Sequence, residues 1–331
     1  MSIRDVAARA GVSPATVSRV FTQPDAVAAE TRRRVLAAAD ELRYTPHPVA
    51  RSLARGRSGN VGIVVPDIAN AFSAAMTKAV QQEVRRDEYA LFVAGSDELP
   101  QDEVQWARAL APQVDGLLLA SPLMSDDDLN ELAGLTPLVL VNRVLDGIPA
   151  VVTDATEATG HAVEHLHALG HREIVYLAGP EGYANSMRLR GYREACARLG
   201  IETAELGPFR ARFSDGVRAA DLALATSATA IIAYNDEVAV GVINRLGDRG
   251  VGVPGDISVV GFDDTLLAEM VTPRLTTVRL AVEAAGRAAA RMLLDAIRGR
   301  EVARNPQALP GELIVRSSTA TRNDTKGPGI T

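Results

Sequence analysis

Four points in the chain place polar side chains where an apolar run ends. Asp67 and Asn70 follow "VGIVV", Asn142 closes "LVLVN" with Arg143 next, Asn235 and Asp236 follow "AIIAY", and Asp263 and Asp264 follow "SVVGF". Amides and carboxylates at such positions can hydrogen-bond a small polar ligand, because open α/β sheets bind ligands outside the carboxyl ends of their strands. The same residue types also cap helices, so Asn235 and Asp236 can start the helix that follows as well as line a site. Arg143 can equally serve a structural ion pair.

The remaining reactive residue types point elsewhere. His161, His165, His167 and His171 gather in "GHAVEHLHALGH", and His47 stands alone. His161 and His165 share a helix face, but no third ligand lies nearby in sequence, so surface and capping roles are expected rather than a metal site. Cys196 is the single cysteine; it has no disulfide partner within the chain, which fits a reducing cytoplasm, and it reads as a buried small residue. No nucleophile with a base, metal-ligand cluster or Gly-rich phosphate loop accompanies Asp263 and Asp264. The expectation is a protein that is not an enzyme and holds no cofactor or metal.

The elements that must position these residues follow from the apolar pattern. The runs "VGIVV", "ALFVAG", "GLLLAS", "LVLVN", "IVYLAG", "AIIAY" and "SVVGF" alternate with helical segments. That alternation predicts parallel sheets covered by helices, and the number of strands predicts two lobes. A chain of 331 residues is too long for one small core, which agrees with several folding units. No run of about eighteen apolar residues is present, and the N-terminus carries charges in place of an apolar signal core, so neither a membrane span nor secretion is expected.

The first part of the chain differs in character. Residues 1–60 hold ten Arg and no Lys against five acids, a charge of 10 − 5 = +5; with −6 overall, the remainder carries −11. A basic head on an acidic body suits contact with an anionic polymer. Three helices are predicted there: Ile3 to Ala10; one capped by Ser13 with Pro14 in its first turn; and Glu30 to Leu42, burying Val35, Leu36, Ala39 and Leu42. On the second helix Val17, Val20 and Phe21 fall together, with Ala15, Ser18 and Arg19 opposite. Two helices about a tight Gly11 turn, closed by a third, describe a helix-turn-helix unit or a plain three-helix bundle. In the former, Arg19 can donate bidentately to guanine, and Ser and Thr hydroxyls can hold phosphates.

The blocks "IRDVAARAGVSPATVSRVF", "VGIVVPDIANAF", "HLHALGHREIVYLAGP", "RLRGYREA", "AYNDEVAVG" and "DISVVGFDD" resemble the lactose/galactose repressor (LacI/GalR) family, in order and over nearly the whole chain. The resemblance implies an all-α helix-turn-helix head plus an α/β body, a two-lobed periplasmic-binding-protein-like fold with parallel sheets and three crossovers. It implies DNA contacts from Ser13, Pro14, Ala15, Thr16, Ser18 and Arg19, with Pro14 and Ala15 where other members read bases with longer side chains. It further implies that "PHPVARSLARGRSGN" folds as a hinge helix only on DNA, through Val49, Ala50, Arg51 and Leu53, with Leu53 wedged into the minor groove. Carried over by position, the effector contacts are Asn70, Phe72, Ser73, Arg143, Asn185, Arg188, Phe213, Asn235 and Asp263. Arg188 and Asp263 would bind hydroxyls or a charged group, and Phe72 or Phe213 would stack on an apolar ring face.

The implied division is residues 1–46 for the head, 47–60 for the hinge and linker, and 61–322 for the effector-binding and dimerisation body. Within the body, lobe 1 is about 61–152 and 282–309 and lobe 2 about 153–281 and 310–322, followed by a tail at 323–331 expected to be disordered. The tail has no heptads, so a homodimer is expected. This chain departs from the family pattern at Ala71, at Ala155, at Ala28 in place of a capping Ser, and in "RFSDGVRAAD", which reads as two residues short between Phe213 and its glycine. The expected function is a cytoplasmic, ligand-released repressor of a pseudo-palindromic operator, its effector a sugar or related polar metabolite. A solute-binding protein shares the body but needs a signal peptide and has no use for the basic head.

Overall fold

The computed structural model describes residues 1–22, 24–44 and 57–322. The expected hinge contacts Val49, Ala50, Arg51 and Leu53, together with His47 and the tail, lie outside the described residues.

The head contains α1 (Ile3–Ala10), α2 (Pro14–Thr22) and α3 (Ala29–Glu41). A reciprocal capping box starts α1: Ser2 Oγ accepts from the Asp5 amide, and the Asp5 carboxylate accepts from the Ser2 amide at 2.7 Å. Gly11, at φ 65°, ends the helix in the left-handed conformation that costs glycine little. Ser13 Oγ accepts from the Thr16 amide at 3.1 Å and so caps α2. The core joins Val6, Ala7 and Ala10 to Val17 and Val20 and to Val35, Ala38 and Ala39. One expectation fails here: Leu36 is 46% exposed, and Ala38 takes the buried place assigned to it. Leu36 sits about 100° around the helix from Val35, outside the stripe shared by Val35, Ala38, Ala39 and Leu42.

The body contains two six-stranded sheets. In the first, the order is β11 (Gln307–Pro310), β5 (Ala150–Asp154), β4 (Leu138–Val141), β3 (Leu117–Ala120), β1 (Asn60–Val65), β2 (Ala90–Gly95), all parallel. In the second it is β12 (Glu312–Ile314), β10 (Thr276–Arg279), β9 (Ser258–Asp263), β8 (Ala230–Ala233), β6 (Ile174–Leu177), β7 (Ala204–Leu206), with only β12 antiparallel. The chain passes between sheets three times, after β5, after β10 and at Gly311.

Helices cover both faces of each sheet, as parallel strands buried on both sides require. On the first sheet α4 (Ala71–Arg86) and α12 (Val282–Ile297) pack one face, while α5 (Pro100–Leu110) and α6 (Asp126–Leu135) pack the other. On the second, α7 (Thr156–Ala168) and α8 (Tyr183–Leu199) oppose α9 (Phe213–Leu224) and α10 (Asp236–Asp248). The short α11 (Leu266–Met270) follows β9. Phe72 packs against the cores of both sheets and so joins them. Among the described residues no helix is long and apolar enough to cross a membrane.

Candidate ligand cleft and candidate nucleic-acid surface

The carboxyl ends of the two sheets face each other across a cleft with about 640 Å³ of empty space, counting its open side. From the first sheet come Asp67 and Asn70 after β1, Glu98 after β2, Ser121 after β3 and Asn142 after β4. From the second come Arg188 on α8, Ala211 after β7, Tyr234 and Asn235 after β8 and Asp263 at the end of β9. Several of these residues hold left-handed backbone: Glu98 at φ 62°, Ser121 at 50°, Asn142 at 54° and Asp263 at 99°. Such a conformation costs L-residues about 1–2 kcal/mol each, and strain of this kind clusters at binding sites.

Arg188 is the best-anchored group in the cleft. It is 4% exposed, donates from Nη2 to Asp263 Oδ1 at 3.0 Å and from Nη1 to the Tyr234 carbonyl. Its guanidinium lies 4.4 Å from the Tyr234 ring centre and 4.7 Å from that of Phe262, close enough for cation–π attraction. The Tyr234 ring fits there because Gly179 has no side chain; a Cβ at that position would come 2.2 Å from the ring. Burial pushes the Asp263 carboxyl above its ordinary range, and the Arg188 charge pulls it back. Arg188 Nε has no hydrogen-bond partner and is buried.

The asparagines have structural duties as well as a place at the site. Asn70 caps α4 through Phe72 and Ser73, and Asn235 caps α10 by accepting from the Val238 amide at 2.9 Å. Asn142 Oδ1 accepts from the Thr153 amide at 2.8 Å and fixes β4 to β5. Asn185 accepts from the Tyr176 hydroxyl and the Gly179 amide, and it lines an outer chamber that continues the cleft past Tyr234, Leu123 and Tyr183. Phe72 and Ser73 also line the cleft.

Two expected contacts stand outside it. Arg143 Nη2 donates to Asp126 Oδ1 at 2.7 Å, so its charge is paired with a carboxylate in the first turn of α6. Phe213 is 44% exposed at the first turn of α9; the aromatic buried beyond β7 is Phe209, at 8%. The second acid of each pair is structural: Asp236 accepts from Thr265 and Thr277, and Asp264 meets Arg316 at 2.6 Å and Arg279 at 2.7 Å. The residues not foreseen are Glu98, Ser121 and Tyr234. Glu98 Oε2 is buried without a hydrogen-bond partner, and burial raises that carboxyl, with the Arg212 charge opposing.

Contacts between the rims fix the lobes relative to one another. Asn70 Nδ2 donates to Glu237 Oε1 at 2.9 Å, and Arg212 lies 3.4 Å from Asp67 and 3.8 Å from Asp97.

None of His161, His165, His167 and His171 lines the cleft or its outer chamber. His165 bonds Thr319 at 2.9 Å, and His171 bonds Thr229 and Ser258 at 2.9 and 3.0 Å. Among the described residues, no three potential metal ligands gather. Burial pushes the Cys196 thiol up to about 11, far from a thiolate nucleophile at neutral pH.

On the head, α2 exposes Pro14, Ala15 and Arg19 and buries Val17 and Val20. Ser13 and Thr16 hydroxyls bond each other at 2.9 Å, and Ser18 is partly buried. The exposed face therefore offers one long cationic side chain among short ones.

A three-helix head with an exposed face on its second helix, carried on a two-sheet body with a polar cleft, defines a class: a DNA-binding regulator with a ligand-binding body. Residues 2–47 match the pattern of bacterial regulatory proteins, lacI family, and residues 163–319 match a periplasmic binding protein-like domain. The chain is 32% identical over 333 residues to the HTH-type transcriptional regulator DegA of Bacillus subtilis (strain 168), covering 97% of this chain and 99% of that protein. The crystal structure of the Lac repressor dimer bound to operator and the anti-inducer ONPF matches with a TM-score of 0.85 at 29% identity, over 97% of this chain and 99% of that one. The complex of the transcriptional regulator CelR with cellobiose matches at 0.71 and 32% identity, over 96% and 99%. The chain belongs to the lacI family of bacterial regulatory proteins and is a DNA-binding transcriptional regulator.

Proposed function

We propose that this chain is a cytoplasmic repressor without enzymatic activity, which binds a pseudo-palindromic operator as a homodimer and releases it when a small polar effector, a sugar or related metabolite, occupies the cleft. The observation that carries the reading is the convergence of unpartnered buried polar atoms, Arg188 Nε and Glu98 Oε2, on a cleft between lobes that other contacts tie together. An effector that prefers one lobe arrangement shifts the population toward it, and coupling to DNA is that differential affinity. The Lac repressor solved as an operator-bound dimer and CelR solved with cellobiose support operator, dimer and sugar by analogy.

Asn70, Phe72, Ser73, Asn185, Arg188, Asn235 and Asp263 are the proposed effector residues, with Ser121 added. Ser13, Pro14, Ala15, Thr16, Ser18 and Arg19 are the proposed DNA contacts, with Val49, Ala50, Arg51 and Leu53 proposed from the sequence alone. The proposed lobes follow the two sheets. Operator fragments selected from random DNA, followed by fluorescence anisotropy with candidate metabolites, test the reading. Release by a sugar or nucleoside is expected; indifference of the DNA complex to every metabolite that binds the body would sink it.

A further inference from the structure

Charge in the cleft is lopsided. Among the described residues lining it and its outer chamber, Arg188 is the one cation, against the acids Asp67, Glu98, Glu181 and Asp263. Arg188 is committed to Asp263, and Asp67 is answered from outside the lining by Arg212. Glu98 and Glu181 make no ion pair among the described residues.

Two unpartnered atoms belong to residues that line the cleft, and they have opposite needs; a third, Arg212 Nε, lies outside the lining on a side chain paired with Asp67 and Asp97. Glu98 Oε2 lacks a donor and Arg188 Nε lacks an acceptor, and both are buried. Glu98 sits on left-handed backbone at φ 62°, and burial raises its carboxyl while the Arg212 charge and the Ala211 amide across the cleft lower it. A hydroxyl is donor and acceptor at once, so a ligand carrying several satisfies both atoms. A phosphate or carboxylate has no donor for Glu98, meets no uncommitted cation and adds charge beside a buried acid, where screening by water is weak.

We propose that the cleft selects an uncharged, hydroxyl-rich ligand and excludes phosphorylated or carboxylated forms of it, with Glu98 as the residue that sets the exclusion. The inference rests on the reading of the cleft as an effector site and narrows it to one class.

Matched probes separate the two ideas: glucose, its phosphate and gluconate; ribose and its phosphate; cytidine and its monophosphate; and cellobiose. Melting of the full chain screens them, and isothermal titration ranks the binders. The tightest binder is expected to be uncharged and to exceed its anionic counterpart by about tenfold or more. Glu98→Gln is expected to shrink that gap to about threefold or less, whereas Glu98→Asp, which keeps the charge, preserves most of it. An anionic probe binding tightest, or a gap that Glu98→Gln leaves intact, overturns the inference and leaves the effector reading standing. No binding by any probe overturns both.

Discussion

The head and the body bury different things. Among the described residues of the head, every buried one is a valine or an alanine: Val6, Ala7, Ala10, Val17, Val20, Val35, Ala38 and Ala39. The body, besides a large aliphatic core, buries Glu83, Glu103, Arg188, Asp215, Asp236 and Asp263. Short side chains and few of them give the head a small hydrophobic term, with nothing inside that responds to pH. The body spends part of its larger core on buried charge, which is costly unless paired and which makes its stability depend on protonation. The difference matches the two tasks. The head must present a rigid face to a polymer, and a minimal core with caps suffices. On the proposed reading the body takes two arrangements, and polar contacts between the rims such as Asn70–Glu237 and Arg212–Asp67 would set their balance.

The largest test of the contrast compares two arginines. Arg188→Ala leaves Asp263 buried without its partner, and breaking such a pair costs about 3–5 kcal/mol. Urea unfolding of the body at pH 7.5 should show this loss as a lower midpoint with an unchanged slope. A loss below about 1 kcal/mol would mean that Asp263 takes up a proton and that the ion pair adds little stability. The exposed Arg19, changed the same way, should alter stability by no more than about 0.5 kcal/mol.

Glu103 sharpens the pH side. It is 4% exposed, one oxygen accepts from the Leu123 amide at 2.9 Å, and burial raises its carboxyl from 4.5 to about 7. Between those values the folded chain holds a proton that the unfolded chain has released. Stability therefore falls as pH rises through that window and levels off above it, by about 3 kcal/mol for a shift of this size. Asp236, raised to about 7 chiefly by burial and then by Asp263, acts in the same direction. Glu103→Gln should remove one share of the slope from melting curves taken across the window, while the melting of an isolated head fragment stays flat. An unchanged slope in the variant would show that Glu103 is ionised in the fold.

The same division governs what could be read from the sequence. Six of the seven apolar runs are β1, β3, β4, β6, β8 and β9, strands buried on both faces; the seventh is the edge strand β2, apolar in sequence although Phe92 and Val93 are exposed. The other edge strands, β7, β11 and β12, are only three or four residues long and exposed or half-buried throughout, and they leave no such signal. Positions at strand ends were legible, and Asn70, Asn235 and Asp263 do line the cleft. Side-chain direction was not. Arg143 turns to Asp126, a partner seventeen positions away that no local pattern specifies. Tyr234 is hidden because its site role comes at the end of an apolar run. Glu98 is hidden because "SDELP" gives no hint of the left-handed turn that aims its carboxylate inward. Two aromatics four apart, Phe209 and Phe213, look alike in sequence, and only packing shows that Phe209 is core while Phe213 is exposed outside the cleft lining.

On the DNA side the expected effects are smaller and concern discrimination. Pro14 and Ala15 have no side-chain donor, so on the proposed set of DNA contacts hydrogen-bond readout from the exposed face of α2 would fall on Arg19. Arg19→Ala should cost about 1–3 kcal/mol of base discrimination per half-site, read as the ratio of operator to random-DNA affinity at one salt concentration. Equal loss on both DNAs would make Arg19 a phosphate contact, and the head would then read sequence by shape alone.

The smallest effect probes how close to its limit the head's minimal core lies. Ala28 sits at the N-cap of α3 with φ −55° and ψ 137°, a non-helical backbone suited to a cap, yet it offers no side-chain acceptor to the first-turn amides. Glu30, in the first turn, pairs with Arg33 and so compensates only partly through the helix dipole. Ala28→Ser should stabilise the head by about 0.5–2 kcal/mol, a large fraction of what so few valines and alanines can supply. In a calorimetric scan the lower-temperature transition should move up while the body's transition stays in place. If the two moved together, head and body would unfold as one unit, and the small core would be stable only through the body it is attached to.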